Sequence, residues 1–169
     1  MRVVLHIGME KTGTTAVQHW LNDQRIRLKE EGWHVPTSLG KTNHRQLSLL
    51  GFDADRRDDA TDRRDIKSNK ELIELQMDIR KRLNAEIMTS KKYNCHTLIA
   101  SSELISSRLT RKTEKIRLLK SIFESGAKSI QIILVTRNAA DLAESRHSTA
   151  ILHELRTDCL LYTSPSPRD

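Results

Sequence analysis

Residues 3–15 read Val-Val-Leu-His-Ile-Gly-Met-Glu-Lys-Thr-Gly-Thr-Thr, and the class of fold follows from this stretch. Its apolar first half predicts a short buried strand. Val17, Leu21 and Leu28 then recur at the spacing of one helical face, so we expect a helix directly after the threonines. A strand, a loop with two glycines and a helix start form an anion site, because backbone N–H groups converge there and the helix dipole favours negative charge.

The loop departs from the common nucleotide-binding motif in the position of its lysine. Loops that bind ATP or GTP read G-x-x-x-x-G-K-[ST], with lysine directly after the second glycine. Here Thr14 takes that position, and the lysine of the loop is Lys11, two residues before Gly13. The pattern therefore predicts a phosphate site whose cation lies earlier in the loop than it does in ATP- or GTP-binding proteins.

A second anion site is predicted further along the chain. Residues 129–136 form an apolar, β-branched run that is typical of a strand, and this run ends at Arg137. Residues 138–154 are predicted to be helical, and Ser145, eight residues after Arg137, lies about two turns into this helix. A guanidinium group can hold a phosphate through two parallel hydrogen bonds, and a hydroxyl group can add a third.

The two motifs, in this order, resemble those of sulfotransferases that use PAPS (3′-phosphoadenosine 5′-phosphosulfate), especially the bacterial and glycan-modifying members. The resemblance implies PAPS as co-substrate, no required metal, and a hydroxyl acceptor on a glycan or a small molecule. It implies that Lys11 contacts the phosphosulfate bridge, that the Gly-Thr-Thr segment holds the 5′-phosphate, and that the later motif binds the 3′-phosphate. The residues so assigned to donor binding are Lys11, Thr12, Gly13, Thr14, Thr15, Arg137 and Ser145.

Glu103 is the candidate catalytic base. It follows the predicted strand at residues 97–100, and ligands of open α/β sheets bind beyond the carboxyl ends of the strands. Sulfuryl transfer needs a base for the acceptor proton and a cation for the departing phosphate. The resemblance implies Glu103 for the first role, since family members use glutamate or histidine, and Lys11 for the second. Alternatively, Glu103 caps the next helix or contacts the acceptor without taking a proton.

Two histidines need separate interpretations. His6 on the first strand is expected to be a packed, hydrogen-bonded residue, and His147, two residues after Ser145, is an additional candidate for the base. The histidines show no spacing typical of metal ligands.

Strands alternate with amphipathic helices along the chain. This alternation predicts an α/β fold, P-loop-containing, with a parallel sheet flanked by helices on both faces. Ser68 and Glu71 predict a capping box at the start of a long helix, and Gly126 predicts the end of a later one. Residues 53–65 carry dense charge of both signs, which predicts a solvated loop. We expect a single domain over residues 1–155.

The composition is basic. Lys and Arg total 29 against 22 acidic residues, which gives a net charge of +7 and a pI near 9.6. Such a charge suits PAPS and an anionic acceptor. Two alternatives stay open: a P-loop nucleotide-phosphate enzyme of the kinase type, and a non-catalytic basic module that binds polyanions. Nucleic acid is not the expected partner, because aromatic residues make up only 4% of the chain and no DNA-binding signature is present.

Residues 156–169 differ from the preceding sequence. They hold two prolines within a short Ser/Thr-rich string, which predicts a disordered tail. The string resembles a spurious end of a gene assembled from environmental sequence, which implies that the native chain continues and that this one is an incomplete, weakly active fragment. Two cysteines without a pairing pattern, no signal peptide and no apolar span predict a cytoplasmic protein without a membrane segment.

Overall fold

The computed structural model describes residues 1–9, 11–53, 55–56 and 58–152. Its described strands form one sheet of four, with the order β2-β3-β1-β4. They are β1 (Arg2–His6), β2 (Trp33–His34), β3 (Thr97–Ser101) and β4 (Ser129–Ile133). Every pairing in this sheet is parallel. The expectation of an α/β fold with a parallel sheet flanked by helices is confirmed.

The register aligns the ends of three strands. Arg2 at the start of β1 pairs with Thr97 of β3 and with Ser129 of β4. His6 at the end of β1 pairs in the same way with Ser101 and Ile133. The carboxyl ends of these strands therefore form one edge of the sheet, where the loop after β1 and the segment after β3 are neighbours.

The helices follow the predicted local signals. The described ones are α1 (Thr14–Asp23), α2 (Arg25–Glu30), α3 (Gln46–Gly51), α4 (Asp59–Asp62), α5 (Asn69–Lys92), α6 (Leu104–Arg108), α7 (Lys112–Glu124) and α8 (Ala139–Leu152). The predicted capping box at Ser68 is present with both of its hydrogen bonds to Glu71. Gly126 has φ of 101° just after α7, as expected of a C-terminal cap. The helix predicted after the loop divides at Gln24 into α1 and α2.

One hydrophobic cluster forms the core. It brings together the inner residues of β1 and β3 and the apolar faces of α3, α5 and α7. Helix α5 contributes every third or fourth residue, as an amphipathic helix against a core does. The largest fully buried side chains are Leu5, Leu21, Leu39, Leu47, Leu49, Leu50, Phe52, Leu72, Ile79, Leu83, Ile87 and Leu98.

The charged segment at residues 53–65 is only in part the solvated loop that its composition predicts: residue 55 and residues 62–65 are exposed, but residues 59–62 form helix α4. In its described part Asp53 accepts a hydrogen bond from Arg117 of α7 at 2.6 Å, and Asp59 begins α4 and pairs with Arg45. Sequence reasoning could not predict these contacts, because the charge pattern alone does not reveal the cations that other elements place across this segment. Ion pairs with such elements fix it against the rest of the fold.

The chain forms two compact units. The first is Met1–Val135, which holds the four described strands and helices α1 to α7, and the second begins at Thr136 and holds α8. The predicted tail at residues 156–169 lies outside the described residues. None of the helices in the described part of the chain combines the length and the apolar character needed to cross a membrane.

Candidate functional site

The loop between β1 and α1 closes tightly over Gly8. A Cβ atom at this position would lie 2.3 Å from Cγ2 of Thr14 and 2.7 Å from Oγ1 of Thr12. The Met9 N–H group donates to the Val135 carbonyl at 3.0 Å, which ties the loop to the chain just beyond β4. A side chain at this position would therefore force the Thr12 and Thr14 side chains to shift, and the turn is held at the carboxyl edge of the sheet.

The predicted anion-binding residues surround the start of α1. Lys11 and Gly13 both have left-handed backbone conformations, with φ of 67° and 80°. The Thr12 hydroxyl donates to the Met9 carbonyl at 2.6 Å, so it is used inside the loop. Lys11 and Thr15 are exposed, while Thr14 is buried at the first position of the helix.

The amino end of α1 has no side-chain cap. Gly13 occupies the capping position, and none of the described side chains accepts a capping hydrogen bond there. The first N–H groups of a helix have no partners within the helix itself. Helix α1 therefore begins with backbone donors directed out of its end, beside an exposed lysine, and such a helix start favours an anion.

Glu103 links three parts of the first unit. Its Oε2 accepts a hydrogen bond from Gln18 Nε2 of α1 at 2.6 Å, and its Oε1 accepts from Asn43 Nδ2 at 2.9 Å. Glu103 precedes α6, but its side chain makes no capping bond to that helix. The capping alternative is therefore wrong, because the carboxylate turns away from α6 toward the loop helix and the segment before α3.

His6 lies buried at the end of β1, as expected. Its Nδ1 is 2.8 Å from the Ser101 hydroxyl. Burial lowers the pKa of His6, and the negative charge of Glu103 partly opposes that effect. Two buried oxygen atoms near this edge, Ser102 Oγ and Asn43 Oδ1, have no hydrogen-bond partner among the described residues. The strand edge thus holds an unusual number of polar groups for a buried position.

His44 fixes the segment that carries Asn43. Its Nδ1 accepts a hydrogen bond from the Ser101 N–H group at 2.9 Å, and its Nε2 lies 3.0 Å from the Pro36 carbonyl. Nδ1 also lies 3.2 Å from the Ser101 carbonyl. Burial lowers the pKa of His44, and the hydrogen bonds to the Ser101 and Pro36 backbone partly oppose that effect.

Sequence reasoning missed Gln18, Asn43 and His44 as members of this site. Their partners lie 57 to 85 residues away along the chain, beyond the reach of any local pattern. One signal was present for Gln18. It lies four residues after Thr14, so the two share one face of α1, and both are buried although neither is apolar.

The residues of the second motif belong to the second unit. Arg137 is exposed, and its Nε lies 4.0 Å from Oδ2 of Asp141. Ser145 is half-buried and is the seventh residue of α8, about two turns in, as its spacing predicts. The Asn138 side chain accepts a hydrogen bond from Ala140 N–H at 2.9 Å at the start of α8. His147, the additional candidate base, lies on the same helix with its Nε2 buried.

Comparison with protein-family models, with curated proteins and with solved structures gives no match to this chain. Among the described residues, no group of three or more His, Cys, Asp or Glu side chains is arranged to hold a metal ion.

Proposed function

We propose that this protein is a PAPS-dependent sulfotransferase of the P-loop class, which transfers a sulfuryl group from PAPS to a hydroxyl group. One observation carries the proposal: the uncapped start of α1 lies behind a loop that packs tightly against Gly8, with Lys11 exposed beside it. The resemblance of the two sequence motifs to the family supports it independently.

In the proposed reaction one residue acts on the acceptor hydroxyl group and another acts on the leaving phosphate. The acceptor oxygen forms a bond to sulfur while the bond between sulfur and the bridging phosphate oxygen breaks. The acceptor proton goes to Glu103, and the negative charge that develops on the leaving phosphate is stabilised by Lys11 and the first N–H groups of α1. Adenosine 3′,5′-bisphosphate and the sulfated acceptor are the products.

The hydrogen bonds of Glu103 fit a role at this site. Gln18 lies on the helix that begins at the loop, so the loop and the carboxylate are connected through α1. Each carboxylate oxygen keeps a second lone pair after accepting one amide hydrogen bond, which leaves capacity for an acceptor hydroxyl group. Arg137 and Ser145 complete the proposal as the group that holds the 3′-phosphate.

Binding of adenosine 3′,5′-bisphosphate tests the donor site. We expect it to bind without metal, and we expect Lys11→Ala or Arg137→Ala to weaken binding about tenfold or more, since a charge-assisted contact contributes roughly 1.5–3 kcal/mol. Titration calorimetry in EDTA measures this. Lys112→Ala, which removes an exposed lysine at the start of α7, is the matched control and should leave the affinity unchanged.

Other outcomes would favour the alternatives. Unchanged affinity for the bisphosphate in both Lys11→Ala and Arg137→Ala would contradict the assignment of the donor site. Tighter binding of ATP with magnesium than of the bisphosphate would favour a kinase-type enzyme. Binding that ignores the 3′-phosphate and weakens steeply with salt would favour a basic module for polyanions.

A further inference from the structure

A second concave basic surface lies at the opposite edge of the sheet. It is an open cavity of about 510 Å³ among the amino ends of the strands. Arg2 begins β1, Ser129 begins β4, and His96 directly precedes β3. Lys91 lies in the last turn of α5, and Lys128 directly precedes β4. Three stretches of the chain, residues 1–2, 91–96 and 128–129, thus bring mostly basic side chains to one cavity.

The backbone around this cavity is fixed. The Arg2 N–H group donates to the His96 carbonyl at 3.0 Å, and the Lys128 N–H group donates to the Met1 carbonyl at 2.8 Å. These bonds continue the pairing of β1 with β3 and with β4 beyond the strand ends. The backbone of Arg2 and Lys128 is therefore held in place by hydrogen bonds of the sheet.

The cavity has positive charge without an acidic counterpart. Its seven described lining residues include no Asp or Glu. Within the described part of the chain, Lys91 and Lys128 take part in no ion pair with a carboxylate. Burial, and then the neighbouring charges of Lys91 and Lys128, lower the pKa of the Met1 amino group. A positive potential is expected where like charges converge in this way.

We propose that this cavity binds a compact multivalent oxyanion, a phosphate or sulfate ester group, at a site separate from the candidate donor site. Two ammonium groups and a guanidinium group can each donate charge-assisted hydrogen bonds to such a group. The three cations come from neighbouring ends of β1, α5 and β4, so they can converge on one anionic group. The two sites are at opposite ends of β1, about 13–17 Å apart at roughly 3.3 Å per residue, so one phosphate cannot occupy both.

The alternative role for Lys91 is purely structural. A lysine in the last turn of a helix interacts favourably with the negative end of the helix dipole, and Lys91 holds that position in α5. In this case the cations stabilise α5 and the cavity binds nothing. If the cations bind an anion, replacing them should weaken anion binding. If they only stabilise α5, replacing them should change thermal stability alone.

An NMR titration with inorganic pyrophosphate distinguishes them. The protein carries Lys11→Ala, so that the loop after β1 does not compete, and backbone amide shifts are followed. We expect saturable shifts at Arg2, His96 and Ser129, and at least tenfold weaker binding after Lys91→Gln with Lys128→Gln. The matched control is Lys81→Gln with Lys112→Gln, which removes two exposed lysines from α5 and α7 and should change neither the shifts nor the affinity.

A second arm identifies the source of the anion. A fully sulfated disaccharide is titrated in the same way, and the tighter of the two probes indicates whether phosphate or sulfate esters are preferred. No saturable shift at these amides with either probe, or equal affinity in the Lys91/Lys128 variant and the control, would overturn the proposal. A variant that lowers the melting temperature without weakening pyrophosphate binding would assign the cations to helix stabilisation alone. None of these outcomes depends on sulfuryl transfer.

Discussion

Glu103 shows how a single residue acquires its role from distant partners. Its position after a strand permits a helix cap, an acceptor contact or a base. The hydrogen bonds from Gln18 and Asn43 hold its two oxygens away from α6, which excludes the role of a helix cap. Both partners donate through side-chain amide groups, so both carboxylate oxygens serve as acceptors. A base and an acceptor contact remain, and they differ in whether the proton is taken.

Replacement of Glu103 by glutamine separates these two roles. An amide cannot accept the acceptor proton, and its NH₂ group would face one of two donors, Gln18 or Asn43. We expect Glu103→Gln to bind adenosine 3′,5′-bisphosphate normally and to lower turnover about a hundredfold or more, as loss of a general base does. Release of the bisphosphate from PAPS in the presence of hydroxyl acceptors measures the rate.

Gln18→Met is the companion variant, since it removes one hydrogen bond to the carboxylate but leaves the carboxylate itself. It should lower turnover less than Glu103→Gln does. Normal turnover in Glu103→Gln would leave Glu103 as an acceptor contact and would make His147 the next candidate for the base.

At the scale of elements, the loop between β1 and α1 depends on the size of one residue. A methyl group on Gly8 would overlap with Cγ2 of Thr14, at 2.3 Å from the new Cβ. We expect Gly8→Ala to displace the loop, to lower the free energy of unfolding by about 1–3 kcal/mol, as overpacking does, and to weaken binding of adenosine 3′,5′-bisphosphate at least tenfold. Urea unfolding and calorimetry measure the two effects.

A second substitution can relieve this overlap. Serine lacks the Cγ2 atom of threonine, so Gly8→Ala with Thr14→Ser should regain part of both the stability and the affinity. Thr14→Ser alone is the control. Normal binding of the bisphosphate by Gly8→Ala would show that the loop is not where the anion binds.

Most elements could be predicted because their signals are local. The capping box at Ser68, the apolar face of α5 and the glycine after α7 each depend on residues within a few turns of one another. The alternation of strands and helices then limits the sheet to parallel pairing, since parallel strands need long crossover connections. The loop after β1 belongs to this group, because strand, glycines and helix start are contiguous.

The features that could not be predicted depend on pairs far apart in sequence. The run at residues 129–136 has the apolar composition of an interior strand, yet β4 lies at an edge among the described strands, and Ile132 is 50% exposed. The partners of Glu103, and the arginines that pair with Asp53 and Asp59, likewise come from other elements. Composition predicts which groups need a partner, and only the fold determines which partner each one receives.

At the scale of the whole molecule, a buried histidine and a partly buried glutamate connect the segment at residues 34–44 to the sheet and to α5. The two ring nitrogens of His44 lie within hydrogen-bond distance of Ser101 and of the Pro36 carbonyl. Glu86 of α5 accepts hydrogen bonds from the N–H groups of Thr37 and Ser38 and contacts His34 at 2.9 Å. Both groups should therefore make the stability of the first unit depend on pH.

The two groups act in different pH ranges. Burial lowers the pKa of His44 below the ordinary histidine value of about 6.5, so near and below that pH the unfolded chain binds the proton more readily than the folded one. Stability is then lost as the pH falls below about 6.5, and His6, whose pKa is also lowered, contributes in the same direction. Burial alone would raise the pKa of Glu86, but the hydrogen bonds from His34, Ser38 and Thr37 outweigh it and lower the pKa from 4.5 to about 2.

We therefore expect the free energy of unfolding to fall in two steps on acidification. The first begins near pH 6.5 and reports the histidines. The second lies between about pH 4.5 and 2. There Glu86 contributes a stability of about 2–3 kcal/mol, after allowance for solvent screening of a partly buried carboxylate, which is present above pH 4.5 and lost as the carboxylate is protonated. Urea unfolding followed by tryptophan fluorescence measures both, because Trp20 and Trp33 both lie in the first unit.

Two variants assign the steps to their residues. His44→Asn should reduce the step near pH 6.5 and leave the lower one, while Glu86→Gln should do the reverse, because each removes one titrating group from the same segment. Both variants are expected to be less stable than the parent at neutral pH, since each leaves backbone groups without their charged or aromatic partner. The test therefore compares the pH values at which stability is lost, and not the absolute free energies of unfolding.

If the step near pH 6.5 persists undiminished in His44→Asn, that step belongs to His6. If the lower step persists in Glu86→Gln, that step belongs to the paired aspartates, Asp53 and Asp59, whose pKa values are also lowered.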